Sequence, residues 1–407
     1  MDSINEKYFY KKSKQINTKF IDILVFYIYI ISAIITSIFV VSEYRKTVIF
    51  YGVIILVSVA FAALAQKSKT QFFFNIFLFL SFLVLFFVYG FRNFSAIDDN
   101  SYIGIFNNVA EIGWINQFLS TTMEPGYLII NQLVSAFTDN YLVMQLITSF
   151  IPLFLFYYGF KKYRHIISIP TAVFFLCTVL YFQMVSAGLV RMFIGVSIVF
   201  IALDFVPKKK PLKYIFLIVL ASLFHYSAFF MIVLSYFAIN KTNLSKRASL
   251  TYITIFIASP FIFLFVAKFI VPLLGKRYLS YGFVEGINLN LSTFSTLPII
   301  LLLLFFYKHF FDIQKSYFKL FVLTYALSLI IFLFGEMVNL GRLIFYAYTA
   351  LILAASMITK LLTEDSRKPL YSGIIIPYGF LYVYVTQFTL ESHIPYLFPY
   401  NNIFFSI

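Results

Sequence analysis

Long apolar runs alternate with short polar or basic segments along almost the whole chain. The runs lie near 20–41, 48–65, 72–91, 141–160, 169–186, 189–206, 214–239, 248–272, 295–311, 318–335, 342–360 and 369–389. A helix needs about 20 apolar residues, within a range of roughly 17–25, to cross the hydrocarbon core of a bilayer. The pattern therefore predicts an all-α, polytopic integral membrane protein.

The composition excludes a soluble domain and gives no sign of a metal or cofactor site. Hydrophobic residues make up 61% of the chain and charged residues 12%, against roughly 25% charged residues in soluble domains. The net charge of +15 does not indicate a nucleic-acid partner, because Lys and Arg lie singly or in short loops between apolar runs. Cys177 is the only cysteine and the four histidines are scattered, so we expect no disulfide, metal or cofactor.

The distribution of Lys and Arg predicts how the runs are oriented, because cytoplasmic loops are enriched in these residues. Residues 1–19 carry five lysines, which places the N-terminal tail in the cytoplasm. Alternation from this point also puts the basic segments 66–71, 161–165 and 207–213 in the cytoplasm. The charge bias thus agrees with one crossing per run up to residue 213.

The next run, 214–239, allows two interpretations. A single crossing would put 240–247 outside and would invert every later basic loop. A hairpin broken at 223–227 would keep those loops in the cytoplasm. We favour the hairpin, which gives about eleven crossings and one broken or re-entrant helix pair, and the single crossing is the alternative.

These assignments describe one transmembrane domain over 20–389, with a cytoplasmic N-terminal tail, 1–19, and an outer C-terminal tail, 390–407. Two outer loops are long enough to carry structure of their own, 92–140 and 273–294. The first is polar and apolar by turns, which is typical of short helices along a membrane face.

The stretch 186–205 is the run around which we expect the chain to be organised. It holds Arg191 about one turn inside its start. A charged side chain in a membrane-spanning helix costs several kcal/mol unless it is paired, hydrated or used. Arg191 is therefore a candidate functional residue, although an arginine near a helix end can instead extend to the head groups.

Other polar residues are predicted at the same outer boundary. The cations are Arg92, Arg191 and Arg342, the candidate acids and bases are Asp98, Asp99, Glu124 and His225, and the remaining loop residues are Tyr102, Lys276, Arg277 and Glu285. The planar fork of arginine suits bidentate contacts to phosphate, and a carboxylate or an imidazole can serve as a general base. Each residue alone has a structural explanation, such as a solvated turn at the aspartates, turn chemistry before Pro-Gly at Glu124 and a core hydrogen bond at His225. Their coincidence on one face favours a site.

Five segments occur in a recognisable order: FRNFSAIDDNSY, EPGYLIINQLVSAF, SAGLVRMFIGVSIVFIALDF, LFHYSAFF and NLGRLIFYAY. The ordered set resembles the EpsG family of Wzy-type polysaccharide polymerases and covers most of 90–350. The resemblance implies a GT-C-like architecture and a site in which Arg92, Arg191 and Arg342 bind pyrophosphate. The base would be Asp98, Asp99, Glu124 or His225, and Tyr102, Lys276, Arg277 and Glu285 would contact substrate.

The implied activity is that of a membrane glycosyltransferase, independent of metals and nucleotides, at the outer face of the bacterial cytoplasmic membrane. It would transfer a growing glycan from undecaprenyl pyrophosphate onto a lipid-linked oligosaccharide repeat unit, in the synthesis of O-antigen, capsule or exopolysaccharide. The implied partners are this lipid-linked oligosaccharide, the bilayer, a chain-length regulator and a flippase. Two alternatives stay open: a flippase for the lipid-linked oligosaccharide, for which we would expect internal repeats, and a glycosyltransferase that uses a polyprenyl-phosphate sugar.

Overall fold

The computed structural model describes residues 45–93, 96, 98–121, 123–186, 188–234, 343–361, 400 and 402–404. These residues form eleven α-helices and no strand. The α-helices are α1 (Arg45–Lys67), α2 (Gln71–Gly90), α3 (Asp99–Ile112), α4 (Trp114–Thr121), α5 (Pro125–Ser135), α6 (Tyr141–Tyr163), α7 (Ile169–Phe175), α8 (Phe182–Ser186), α9 (Val190–Ala202), α10 (Pro211–Ser222) and α11 (Ile344–Leu361). A π-helical turn, Leu176–Tyr181, joins α7 to α8, and 3₁₀ segments cover Leu203–Phe205 and Tyr226–Leu234.

Three of the described helices are long and apolar enough to cross a membrane: Ile49–Lys67 within α1, α2 and α6. The starts of two of them follow from the sequence, since Thr70 precedes α2, Asn140 precedes α6, and each side chain accepts a backbone hydrogen bond as an N-cap. The prediction of a helical membrane protein is confirmed. The predicted total of about eleven crossings, the GT-C-like architecture and the domain limits stay predictions, because 1–44, 235–342 and 362–399 lie outside the described residues.

Helix α9 is the centre of the described bundle. All thirteen of its residues are buried, and it packs against α6, α10 and α11. The hydroxyl of Tyr163 donates to the carbonyl of Phe200 over 3.2 Å, and the rings of Phe156 and Phe200 lie 4.7 Å apart. The run 186–205 therefore forms the core helix around which its neighbours are arranged.

The run 214–239 is broken where the sequence predicts it. Helix α10 ends at Ser222, and the 3₁₀ segment that begins at Tyr226 turns back beside it, so that the Tyr214 hydroxyl donates to the Met231 carbonyl over 2.6 Å. These two residues would be about 25 Å apart in a continuous helix. The break is confirmed, whereas the placement of 240–247 lies outside the described residues.

One end of the bundle is basic. Asp204 accepts from Lys162 at 2.7 Å and from Lys208 at 2.8 Å, and Lys360 donates to the carbonyl of Arg164 over 2.6 Å. These contacts bring together the loop after α6, the loop before α10 and the end of α11. The structure thus groups at one end segments that the charge bias assigns to the cytoplasm.

The loop 92–140 lies at the opposite end of the spans, after α2 and before α6. It forms the short helices α3, α4 and α5 that its sequence predicts. Tyr102, Phe106 and Val109 on α3 pack with Tyr127 and Leu128 on α5 in a second buried cluster. This small helical layer carries two of the predicted site segments, while the outer loop 273–294 lies outside the described residues.

Candidate functional site

Arg92 lies just beyond α2 and is enclosed by its own loop. Its Nη2 forms an ion pair with Asp99 Oδ1 at 2.7 Å, and its Nη1 donates to the Tyr89 carbonyl at 2.8 Å. The guanidinium also sits 4.6 Å from the centre of the Tyr89 ring. Burial by itself lowers the pKa of Arg92, but the negative charge of Asp99 raises it above its usual value, so the side chain stays charged.

The loop around Arg92 is fastened on both sides. The second carboxylate oxygen of Asp99 accepts from the Ala96 amide at 3.1 Å, and the side-chain amide of Gln145 on α6 donates to the carbonyls of Gly90 and Arg92 at 2.8 and 2.7 Å. Only 1% of Arg92 is exposed. In this arrangement Arg92 and Asp99 hold the loop together from inside, and neither charge faces an opening.

Arg191 makes a second ion pair in the first turn of α9. Its Nη1 pairs with Glu124 Oε2, its Nε donates to the Tyr102 hydroxyl at 3.5 Å, and its guanidinium lies 5.8 Å from the centre of the Tyr102 ring. The side chain of Arg191 keeps 11% exposure against 2% for Glu124. Arg191 therefore points into the protein rather than along a lipid surface, and it is more accessible than its partner.

Glu124 is positioned by the turn that begins α5. Pro125 starts the helix, where its missing N–H and fixed φ are favourable. The Gly126 amide donates to the Leu223 carbonyl at 2.8 Å, and a Cβ at Gly126 would lie 2.8 Å from that oxygen. Only glycine permits this approach. The E-P-G-Y segment is therefore hydrogen-bonded to the L-F-H-Y-S turn.

A second glycine brings the aspartate loop against the start of α9. Gly188 has a φ of +65°, which favours glycine. A Cβ there would lie 3.1 Å from both the Ala96 Cβ and the Asp98 amide. Asp98 itself is partly buried at the start of α3. The segment FRNFSAIDDNSY therefore meets the segment that carries Arg191.

His225 occupies the turn between α10 and the following 3₁₀ segment. Its Nδ1 lies 2.6 Å from Ser227 Oγ, which lies 3.1 Å from the hydroxyl of Tyr346 on α11. Gly195 packs against this group, since a Cβ there would lie 3.5 Å from the Tyr346 hydroxyl and 3.6 Å from the His225 Cβ. Gly195 follows Arg191 by one helical turn, so the His225 turn packs on the face of α9 from which Arg191 projects.

The structure thus brings several predicted site residues to one end of α9. Arg191 contacts both Glu124 and Tyr102, and Asp99, which pairs with Arg92, lies one turn before Tyr102 on α3. Four predicted residues lie outside the described ranges: Arg342, Lys276, Arg277 and Glu285.

The prediction from sequence missed Ser227 and Tyr346, which form the hydrogen-bonded chain to His225. Ser227 belongs to the quoted LFHYSAFF segment and could have been found there. Tyr346 belongs to the quoted NLGRLIFYAY segment, but only the packing of α11 brings it to the turn. Among the described residues, no group of three or more His, Cys, Asp or Glu side chains could hold a metal ion.

Comparison with known proteins identifies a family but no individual relative. No curated protein matches the chain, and no solved structure does either. The family profile of EpsG matches residues 75–402, a range that contains both ion pairs, the His225 turn and α11. The chain belongs to the EpsG family, whose members are membrane proteins of the Wzy-type polysaccharide polymerase kind.

Proposed function

We propose that this chain is a polysaccharide polymerase of the bacterial cytoplasmic membrane. It transfers a growing glycan from undecaprenyl pyrophosphate to a lipid-linked oligosaccharide repeat unit at the outer face. The observation that carries the proposal is the ion pair of Arg191 and Glu124, buried at one end of the core helix of an EpsG-family chain. It puts a cation for the leaving group next to a carboxylate that can act as a base.

Arg191 is the residue that we assign to the donor pyrophosphate. Its guanidinium lies at the N-terminus of α9, where the helix dipole favours an anion. Its fork can make two parallel hydrogen bonds to phosphate oxygens. Interactions of this kind stabilise the negative charge that develops on a departing pyrophosphate, and loss of one such contact typically costs on the order of 10²–10³ in rate.

The base is Glu124 or His225, because both lie on the Arg191 side of the site. In the proposed step, the acceptor hydroxyl oxygen attacks the anomeric carbon of the donor glycan. The bond from that carbon to the pyrophosphate oxygen breaks, and its electron pair stays with the pyrophosphate. The hydroxyl proton moves to the base, and the donor lipid leaves as undecaprenyl pyrophosphate.

We assign Arg92 and Asp99 a positioning role, since both are enclosed and paired with each other. Asp98 lies closer to the surface of the same loop and stays a candidate for contact with the glycan. Arg342 is proposed as a further clamp on pyrophosphate, and Lys276, Arg277 and Glu285 as contacts to the sugars, with Tyr102 holding Arg191.

Two features support an outward-facing site in the membrane. The site lies at the end of the bundle opposite Lys162, Lys208 and Lys360, and basic ends face the cytoplasm. Exposed apolar side chains also lie near the site, with Leu223 at the Gly126 contact and Phe229 in the 3₁₀ segment that follows the His225 turn. A polyprenyl tail could lie along such a surface while its pyrophosphate reaches Arg191.

The test is polymerisation with purified components. The protein in lipid nanodiscs should convert lipid-linked repeat units alone into a ladder of longer glycans, and Arg191→Ala should not. A requirement for a polyprenyl-phosphate sugar would assign a different donor. Transport of the lipid-linked oligosaccharide across vesicles without any ladder would identify a flippase instead.

A further inference from the structure

We infer that Glu124 competes with the donor for Arg191: its carboxylate occupies the position of a phosphate, and the incoming pyrophosphate displaces it and frees it to act as the base. The inference rests on the proposed function and adds to it an order of events. Donor binding would come first and would itself prepare the group that deprotonates the acceptor.

The exchange is chemically reasonable because carboxylate and phosphate oxygens bind a guanidinium in the same way. Glu124 takes Nη1 of Arg191, an atom that an end-on phosphate contact through Nη1 and Nη2 would use, and the Tyr102 hydroxyl lies at Nε on the other edge. Arg191 is the more exposed partner of the pair. An anion can therefore approach the guanidinium while the carboxylate is still paired with it.

The neighbouring ion pair of Arg92 and Asp99 provides a comparison, because it is held by several short contacts. Arg92 is held by Asp99 at 2.7 Å, by a backbone carbonyl at 2.8 Å and by a ring at 4.6 Å. Beyond Glu124, Arg191 has only the longer contacts to Tyr102, 3.5 Å to the hydroxyl and 5.8 Å to the ring centre, within the described part of the chain. The Arg191 guanidinium is therefore held by fewer short contacts, within the described residues, than the Arg92 guanidinium.

The backbone would keep Glu124 near the reaction after its release. The hydrogen bond from Gly126 to Leu223 fixes the turn that carries it, so the carboxylate moves by rotation of its own side chain. It stays beside the turn that holds His225. A carboxylate that exchanges a cationic neighbour for an anionic one becomes a stronger base, so donor binding would raise its ability to accept the proton.

The experiment compares the wild type with Glu124→Gln, which keeps the size of the side chain and removes its charge. Binding of farnesyl pyrophosphate to each protein in nanodiscs is measured by calorimetry, and polymerisation is measured on the same preparations. Competition predicts that Glu124→Gln binds at least about tenfold more tightly, because the binding-competent state is no longer a minor one, while polymerisation is lost. Equal or weaker binding by Glu124→Gln overturns the inference.

Two further measurements keep the result unambiguous. Asp99→Asn removes the carboxylate of the neighbouring pair and should not tighten binding, which separates competition from a general loss of negative charge. In the wild type, farnesyl pyrophosphate should speed carbodiimide labelling of the Glu124 carboxylate, read by mass spectrometry, and unchanged or slower labelling contradicts displacement even if Glu124→Gln does not fold. Absence of binding by both proteins overturns the proposed donor site itself, whereas equal measurable affinities overturn only the competition.

Discussion

The amide of Gly126 donates a hydrogen bond to the carbonyl of Leu223 over 2.8 Å and thereby joins two segments that are far apart in the sequence. One segment carries Glu124 and the other carries His225. Since a Cβ at Gly126 would lie 2.8 Å from the Leu223 oxygen, the contact depends on glycine. The contact links the two candidate bases of the site through the backbone.

Gly126→Ala should therefore abolish most of the activity. The added methyl group must push the α5 turn away from the α10 turn, which moves Glu124 relative to Arg191. Polymer length in cells at matched membrane expression measures the effect. Gly104→Ala is the matched control, because Gly104 is exposed on α3 and a Cβ there meets nothing within 4 Å; alanine should stabilise the helix by about 0.5–1 kcal/mol. Normal polymer from Gly126→Ala would contradict the role of this contact.

Arg191→Lys should cut polymerisation strongly, and Arg191→Ala should nearly abolish it. Lysine keeps the charge but lacks the planar fork that binds a carboxylate or a phosphate at two points. The expected loss is on the order of 10²–10³ in the rate of glycan transfer, measured with lipid-linked repeat units. Arg164→Lys is the control, because Arg164 is exposed at the basic end, and its replacement should be nearly silent. Full activity of Arg191→Lys would leave Arg191 with a structural role only.

Arg92→Ala should lower the stability of the folded protein as well as the rate of polymerisation. It leaves Asp99 buried without its cation, and breaking a buried pair by removing one partner typically costs about 3–5 kcal/mol. Thermal unfolding in detergent measures the change. The double variant Arg92→Met with Asp99→Leu removes both charges and should recover most of the stability. Recovery of polymerisation by this double variant would show that Arg92 positions the loop. A double variant that folds well but is inactive would show that Arg92 contacts substrate.

Ser227→Ala should lower activity through His225. The serine hydroxyl lies 2.6 Å from Nδ1 of the imidazole, so its loss removes a contact that orients this nitrogen. We expect a rate reduced by roughly 10²-fold if His225 is the base, a shifted pH–rate profile, and recovery in Ser227→Thr. Ser222→Ala is the control, since the Ser222 hydroxyl bonds only to the Val219 carbonyl of its own helix among the bonds described. An unchanged pH profile in Ser227→Ala would favour Glu124 as the base.

A cysteine at position 243 should be labelled from the cytoplasmic side. Helix α11 runs from the site, where Tyr346 contacts Ser227, to the basic end, where Lys360 contacts Arg164. If the four apolar runs predicted between 248 and 360 each cross once, the chain returns after them to the side on which it started. Residues 240–247 then lie on the same side as Lys360, at the basic end, as the hairpin requires. The native Cys177 is buried, so the background should be low. Labelling of Asn243→Cys only from outside would restore the single crossing.

Much of the architecture was determined by the sequence alone, because it depends on local properties. The lengths of the apolar runs predicted the membrane-spanning helices α1, α2 and α6. N-cap residues and prolines indicated where helices begin. The basic segments predicted which loops lie at the same end of the bundle. The break in 214–239 also followed from charge, since only a reversal there keeps the later basic loops on one side. The core position of 186–205 was visible in its continuous apolar character, which leaves no polar face for water.

Tertiary structure alone decided which arginine pairs with which carboxylate. Arg92 and Arg191 both lie next to apolar runs, and Asp99 and Glu124 both lie in polar turns, so their local patterns do not distinguish an enclosed pair from an accessible one. The difference arises from packing between distant segments: Gly188 brings the aspartate loop to α9, Gly126 brings Glu124 to the α10 turn, and α11 brings Tyr346 to Ser227. Accessibility and exchange are properties of that assembled arrangement, because they depend on which atoms surround a charge and not on the residues that flank it along the chain.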